Sequence, residues 1–103
     1  MIEFTSEKSE MKFEWDEQKE TGNFREHGVM FHTAALVFGD RYRMEIYDRA
    51  HSGNEDRYIT IGMVDDVLYV VYTKRDDATR LISARIATKK EREVYYDNMH
   101  HGC

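Results

Sequence analysis

The sequence predicts an α+β domain: a mostly antiparallel sheet with two N-terminal helices and one C-terminal helix, in the order β-α-α-β-β-β-β-α. Three observations carry this. Phe31, Ala34, Ala35 and Phe38 recur at i, i+3, i+4 and i+7, the period of one helical face. From residue 43 the period changes to two, through "RMEIYD" (43–48), "RYITIGM" (57–63), "VLYVVYTK" (67–74) and "TRLISARIA" (79–87), all rich in β-branched and aromatic residues. The turn signals between these runs, "HSGNED", "VDD" and "DDA", are short, which favours antiparallel neighbours in a meander.

The elements follow in chain order. Residues 1–10 are polar and acidic, and read as a disordered extension. "MKFEW" opens afresh at Met11, so the domain is placed at 11–98, with a short tail at 99–103. "KFEW" is the first strand. Asp16 is the N-cap of a helix over "EQKETGNFREH", and Gly28 ends it in a left-handed conformation. The helix containing Phe31 to Phe38 closes at "GD". After the meander, "TKKE" at 88–91 is a capping box, with Thr88 bonding forward and Glu91 back, and it opens a last helix through about Asn98.

At 103 residues the chain holds a single core. The longest apolar run, "VLYVVY", is far short of the roughly 18 residues a membrane span needs. The start lacks the basic-then-apolar pattern of a secretory signal, and the single cysteine, Cys103, excludes an internal disulfide; both fit a cytoplasmic protein. The formal charge of −5 conceals an asymmetry, because residues 73–103 carry seven Lys/Arg against five Asp/Glu. All seven of those cations fall between Lys74 and Arg92, and a local positive patch of this kind attracts phosphates.

Strand alternation sorts Ile82, Ala84 and Ile86 to one side and Leu81, Ser83 and Arg85 to the other; likewise Ile59, Ile61 and Met63 oppose Tyr58 and Thr60. With helices over the apolar side, the opposite side is an open, partly polar sheet surface holding Ser83, Thr60, Tyr58 and Arg85. Arg80 begins by parity on the core side, at a strand end where it can turn to solvent. Lys89, Lys90 and Arg92 lie in the first turn of the last helix, where the macrodipole disfavours cations. With Lys74, Arg75, Arg80 and Arg85 nearby, that helix start is a candidate phosphate site. A solvated charged helix beside an exposed hairpin is the competing account. "HSGNEDR" adds His51, Glu55 and Arg57, an acid–base pair and a cation suited to phosphoryl transfer to an internal hydroxyl. The tail "HHGC" is too short to build a closed metal site, and no HExxH, paired CxxC, phosphate-binding Gly-rich loop or GxSxG elbow occurs, so neither metal nor cofactor is expected.

Three segments, "FEWDEQKETGNFREHGVMFHTAALVFGD", "HSGNEDRYITIGM" and "RLISARIATKKEREVYY", together resemble the BrnT family of ribonuclease toxins from bacterial type II toxin–antitoxin modules. The family pattern is met at Phe13, Trp15, Asp16, Lys19, Asn23, His27, Gly28, Val29, Phe31, Glu55, Arg57, Ile61, Gly62, Arg80, Ile82, Ser83, Ala84, Arg85, Ala87, Glu91 and Tyr95. It is departed from at Glu26, Asp56 and Gly39-Asp40-Arg41, and residues 1–10 lie outside it. The resemblance implies a RelE-like fold, metal-independent RNA cleavage that blocks translation, and neutralisation by a BrnA-type antitoxin with a ribbon-helix-helix domain.

In that setting Arg85 and Arg80 are the candidate phosphate clamps, supported by Arg57 and Lys89, with Glu55 or His51 as base. Ser83, Lys74, Arg75, Tyr58 and Arg92 are candidate RNA contacts. The alternative is a non-catalytic module that docks a partner protein on the same basic edge. Direct DNA binding by this chain is not expected, since no helix carries a dense row of groove-reading side chains.

Overall fold

A computed structural model describes residues 2–5, by their backbone, and 11–101. The elements are β1 (Ile2–Thr5), β2 (Lys12–Trp15), α1 (Glu17–His27), α2 (Phe31–Leu36), β3 (Met44–Tyr47), β4 (Arg57–Val64), β5 (Asp66–Arg75), β6 (Ala78–Ile86) and α3 (Lys89–His101). One 3-10 turn over Val37–Gly39 extends α2, and another over Arg49–His51 follows β3. The strands form one sheet in the order β1-β2-β6-β5-β4-β3. All neighbours are antiparallel except β2 and β6.

Two expectations about the chain ends change. Ile2–Thr5 forms a strand paired antiparallel with β2, where the sequence reading expected a disordered extension; its Ile-Glu-Phe-Thr alternation has the period of a strand, and residues 6–10 lie outside the described residues. The last helix runs on through His101, taking in most of the expected tail, while residues 102–103 lie outside the described residues.

Local chemistry explains the helix boundaries. Asp16 Oδ1 accepts from the N–H groups of Gln18 and Lys19 at 2.7 and 3.2 Å, satisfying two donors that the first turn leaves open. Gly28 closes α1 at φ 71°, where its N–H donates to the Phe24 carbonyl at 2.8 Å. α1 is joined to the sheet by Asn23. Its amide donates to the carbonyls of Val29 and Ala84 at 2.9 and 2.8 Å and its oxygen accepts from the Ala84 N–H at 3.0 Å. β2 pairs only with residues 78–80 of β6, so beyond its end one side chain of α1 replaces the missing strand.

The expected single layer of helices is corrected: helices cover both faces of the sheet. On one face, beneath α1, α2 and the 3-10 turn, Phe31, Ala34, Ala35, Val37 and Phe38 are buried against Phe13, Trp15, Leu68, Val70, Tyr72, Leu81 and Ala84 of the strands. On the other, α3 contributes Tyr95 and Met99 to a second cluster with Ile59, Ile61, Val67 and Ala87. Tyr95 donates to Asp40 at 2.5 Å, and Asp40 also accepts from the Met63 and Tyr42 N–H groups at 2.8 and 2.9 Å. α3 is thereby tied to the loop before β3, which itself presses on Gly62.

The face assignments also change, and the cause is a β-bulge. Val71 pairs with Ser83 but Tyr72 with Leu81, so Ile82 is an extra residue in β6. Alternation therefore slips by one. Leu81 and Ala84 face the first core, whereas Arg80, Ser83 and Arg85, opposite Thr73, Val71 and Tyr69, share the second face. The predicted grouping of Ile82, Ala84 and Ile86 against Leu81 fails for this reason, as does the core-side placement of Arg80. Ile59, Ile61 and Met63 share the face of Arg85, and Tyr58 and Thr60 lie on the opposite one.

The capping box forms as expected, with the Thr88 N–H donating to Glu91 at 2.8 Å and the Glu91 N–H to Thr88 Oγ1 at 3.2 Å. Glu91 also receives two hydrogen bonds from Arg85, at 2.8 and 3.0 Å. These bonds, reinforced by the Thr88 N–H, outweigh partial burial and hold the Glu91 carboxyl below its ordinary value.

Three outcomes follow. Asn23→Ala leaves buried backbone groups of Ala84 and Val29 unpaired and should lower stability by about 1–3 kcal/mol for each group left unsatisfied, read as an earlier urea midpoint with unchanged slope. Gly62→Ala should cost about 1–3 kcal/mol in the same assay, because its Cβ would stand 2.6 Å from Val37 Cγ1 and 3.0 Å from Arg43 Cβ. Glu91→Gln should lower the thermal midpoint by a constant amount above pH 4.5. That gap should close as pH falls through the depressed folded value, where the wild-type carboxylate is also neutral.

Candidate functional site

The second sheet face carries a row of polar and charged side chains across four strands and the residue that follows β3. Arg57 of β4 pairs with Thr73 of β5, Thr73 with Arg80 of β6, and Arg80 with Glu14 of β2. Asp48, just after β3, donates its N–H to the Arg57 carbonyl at 2.9 Å and completes the row. The charges read minus, plus, hydroxyl, plus, minus. The adjacent rows add Ser83, opposite Val71, and Arg85, opposite Tyr69.

The cations differ in how they are held. Arg80 and Glu14 approach to 3.7 Å with side chains only 14% and 17% exposed, so this pair is the most sheltered of the set. Arg85 is clamped in a bidentate pair with Glu91 and lies over the Tyr69 ring at 3.9 Å from its centroid. Arg75 Nε donates to Glu55 at 2.8 Å. Among the described residues, no hydrogen bond or ion pair engages the Arg57 guanidinium.

Electrostatics ties these groups into one field. The Glu55 carboxyl is held below its ordinary value chiefly by the Arg75 hydrogen bond, and the charges of Arg75, Arg80 and Arg57 act in the same direction. Glu55 raises Arg75 in return. Burial raises the Tyr69 hydroxyl, and the Arg85 charge beside it acts the other way.

The loop between β3 and β4 positions the one imidazole near this row. His51 Nδ1 lies 3.0 and 3.1 Å from the two Asp48 carboxylate oxygens, which leaves Nε2 directed away from the pair. Ser52 stitches the loop to the strand: its hydroxyl donates to the Asp48 carbonyl at 2.7 Å and accepts from the Arg57 N–H at 2.9 Å. A histidine with a carboxylate orienter is an acid–base arrangement.

Of the residues singled out in the sequence, Arg57, Arg75, Arg80, Ser83, Arg85, Glu55 and His51 thus come together on or beside this face. Lys89 and Arg92 stand at the start of α3, where Arg92 donates to the Ala87 carbonyl at 2.9 Å. Lys74 and Tyr58 do not join them. They lie on the opposite face, where Lys74 pairs with Glu45 at 3.3 Å and sits over the Tyr58 ring at 4.4 Å from its centroid. At the helix start expected to hold a phosphate, Glu91 accepts from the N-cap Thr88 N–H and pairs with Arg85, so one of the cations counted there is already compensated.

The sequence reading missed Thr73, Asp48 and Glu14. For Thr73 a signal was available in the turns. The two-residue turn Asp76-Asp77 sets Thr73 opposite Arg80, and the turn at Asp65 sets Arg57 opposite Thr73.

Comparison with known proteins adds the family. A crystal structure of the Brucella abortus ribonuclease toxin, BrnT, superposes with a TM-score of 0.59 at 24% identity, over 73% of this chain and 94% of that one, a likeness of fold. No curated protein sequence matches. The family model described as ribonuclease toxin, BrnT, of type II toxin-antitoxin system matches residues 15–91, from the core Trp15 to Glu91, the partner of Arg85. With about three quarters of its length matched, this chain belongs to the BrnT family of ribonuclease toxins of type II toxin–antitoxin systems.

Proposed function

We propose that this chain cleaves RNA by attack of a ribose 2′-hydroxyl on the adjacent phosphate, without a metal ion, on the face that carries Arg57, Arg80 and Arg85. Family membership implies RNA as target and an antitoxin as partner. The observation that carries the finer reading is the row Asp48, Arg57, Thr73, Arg80, Glu14, which puts two guanidinium groups on one sheet face beside a carboxylate-oriented imidazole.

The chemistry asks for little more. The attacking oxygen and the phosphate belong to one strand, so alignment supplies much of the catalysis and fixed cations supply the rest. The 2′-oxygen loses its proton to a base and forms a bond to phosphorus as the bond to the 5′-oxygen breaks; the departing 5′-oxygen takes a proton from water, leaving a 2′,3′-cyclic phosphate and a 5′-hydroxyl. Arg57 and Arg80 neutralise the equatorial oxygens. Arg85 is a third cation, already partly compensated by Glu91. Of the two base candidates, Glu55 is committed to Arg75 and made less basic by it, whereas His51 keeps Nε2 open and is the better acceptor of the 2′-proton. Ser83, Arg75, Lys89 and Arg92 are strand contacts around this centre. Lys74 and Tyr58 face the other way and are left out of it.

The antitoxin in this reading is of the BrnA type, with a ribbon-helix-helix domain, and the toxin acts in the cytoplasm where its RNA lies. The test is cleavage of a defined RNA by purified full-length protein in excess chelator. Cleavage should persist, should stop when the nucleotide 5′ of the scissile bond is 2′-deoxy, and should fall about 10²–10³-fold in Arg57→Ala, the usual loss when one charge-stabilising donor is removed. Arg57 makes no ion pair or side-chain hydrogen bond among the described residues, so that variant should melt with the wild type. Chelator-sensitive cleavage, or full activity in Arg57→Ala, would overturn the proposal.

A further inference from the structure

We infer that Thr73 Oγ1, between Arg57 and Arg80, is the fixed floor of an anion subsite that seats one phosphate. Thr73 is fully buried, and its hydroxyl has no hydrogen-bond partner among the described residues. That is a costly state for a residue whose place in the fold a valine of the same shape would fill without loss. Its backbone belongs to the central strand β5, paired on both sides, so the hydroxyl cannot drift towards a partner. The β-branch restricts its side-chain torsion as well.

The neighbours say what the missing partner is. On the same face the two cross-strand neighbours of Thr73 are both arginines, Arg57 and Arg80. Adjacent strands lie about 4.8 Å apart, so the two arginine Cα atoms are roughly 10 Å apart with the hydroxyl midway. Side chains of that length converge readily over the midpoint. One O–H donor flanked by two arginines matches an oxyanion with several acceptor oxygens, and phosphate is the anion of that shape and charge. A carboxylate or a neutral polar group would use fewer of these donors. Glu14 braces Arg80 from the far side, so the subsite has a sheltered wall on β6 and an adaptable one on β4. Identifying the phosphate as the scissile one rests on the nuclease reading above; the anion subsite itself does not. Thr73 is then a positioning residue that holds the phosphate while the arginines neutralise it.

The test uses full-length Thr73→Val and Thr73→Ser, inorganic phosphate as the probe, and chloride at equal ionic strength as the reference. In the wild type, phosphate should raise the melting temperature above the chloride value. Thr73→Val should melt at or above the wild-type temperature in chloride, should lose the phosphate shift, and should cleave RNA about 10- to 100-fold less efficiently, the loss expected when a hydrogen bond to a charged group is removed. Thr73→Ser should recover both the shift and the cleavage. An unchanged phosphate shift in Thr73→Val overturns the inference, and so does a wild type that phosphate does not stabilise. A valine variant that melts well below the wild type in chloride overturns it as well, because the hydroxyl would then serve the fold. A Thr73-dependent phosphate shift in a protein that cleaves no RNA upholds the subsite and removes the nuclease reading instead.

Discussion

One extra residue in one strand decides where the charge of this protein lies. Arg80 and Arg85 are five apart, so in a regular strand their side chains leave the sheet on opposite faces. Ile82 is inserted between the residues facing Tyr72 and Val71, and the slip brings both arginines to the same side. The same slip lets Leu81 and Ala84, three apart, both enter the first core. A hydrophobic demand and a functional one are met by a single irregularity, and reversing it would place a guanidinium among Phe13, Phe38 and Tyr72 at a cost of several kcal/mol.

The cations gathered in this way come with their own acids. Arg80 has Glu14, Arg85 has Glu91 and Arg75 has Glu55, which is how a chain of net charge −5 keeps a basic face without strong self-repulsion. Exposed pairs such as Arg75 with Glu55 contribute little to stability and are readily exchanged for another anion. The Arg85–Glu91 pair belongs to a capping box and stacks on Tyr69, so its exchange would loosen the start of α3. Arg57 has no such partner among the described residues, so of the arginines on this face its charge is the least compensated.

Much of this architecture was legible in the sequence because it rests on local rules. Asp16, Gly28 and the Thr88/Glu91 box act within a few residues of themselves, and the elements they bound lie where the pattern put them. The turns at Asp65 and Asp76-Asp77 are equally local; both Asp65 and Asp76 take positive φ, at 64° and 51°. What failed was anything that depends on counting faces through the bulge. Ile82 has no sequence mark, since an isoleucine suits a regular strand as well as an irregular one. Once parity slipped there, Arg80 changed sides, Tyr58 and Lys74 were grouped with the wrong residues, and the sheet was left with one face uncovered. Thr73 was passed over because its neighbourhood, "VVYTK", reads as core; only the register reveals that two arginines flank it.

α3 covers one half of the second face and leaves the arginine row in the other half. α3 starts immediately after β6, where the Ala87 N–H bonds the Val67 carbonyl at 2.9 Å, and so begins at one end of the β5–β6 hairpin. Its far turns are drawn towards the loop before β3 by Tyr95 on Asp40 and by Asn98 on the Tyr42 carbonyl at 3.0 Å. The helix therefore lies over Ile61, Val67 and Met63, near the Asp65 turn. The row of Arg57, Thr73 and Arg80 is at the opposite end of the same strands, beside the Asp76-Asp77 turn. The contacts that fasten α3 thus do more than bury Tyr95. By holding the helix at one end of the sheet, they leave the arginine-lined end outside its cover while the strands beneath it stay fixed in register.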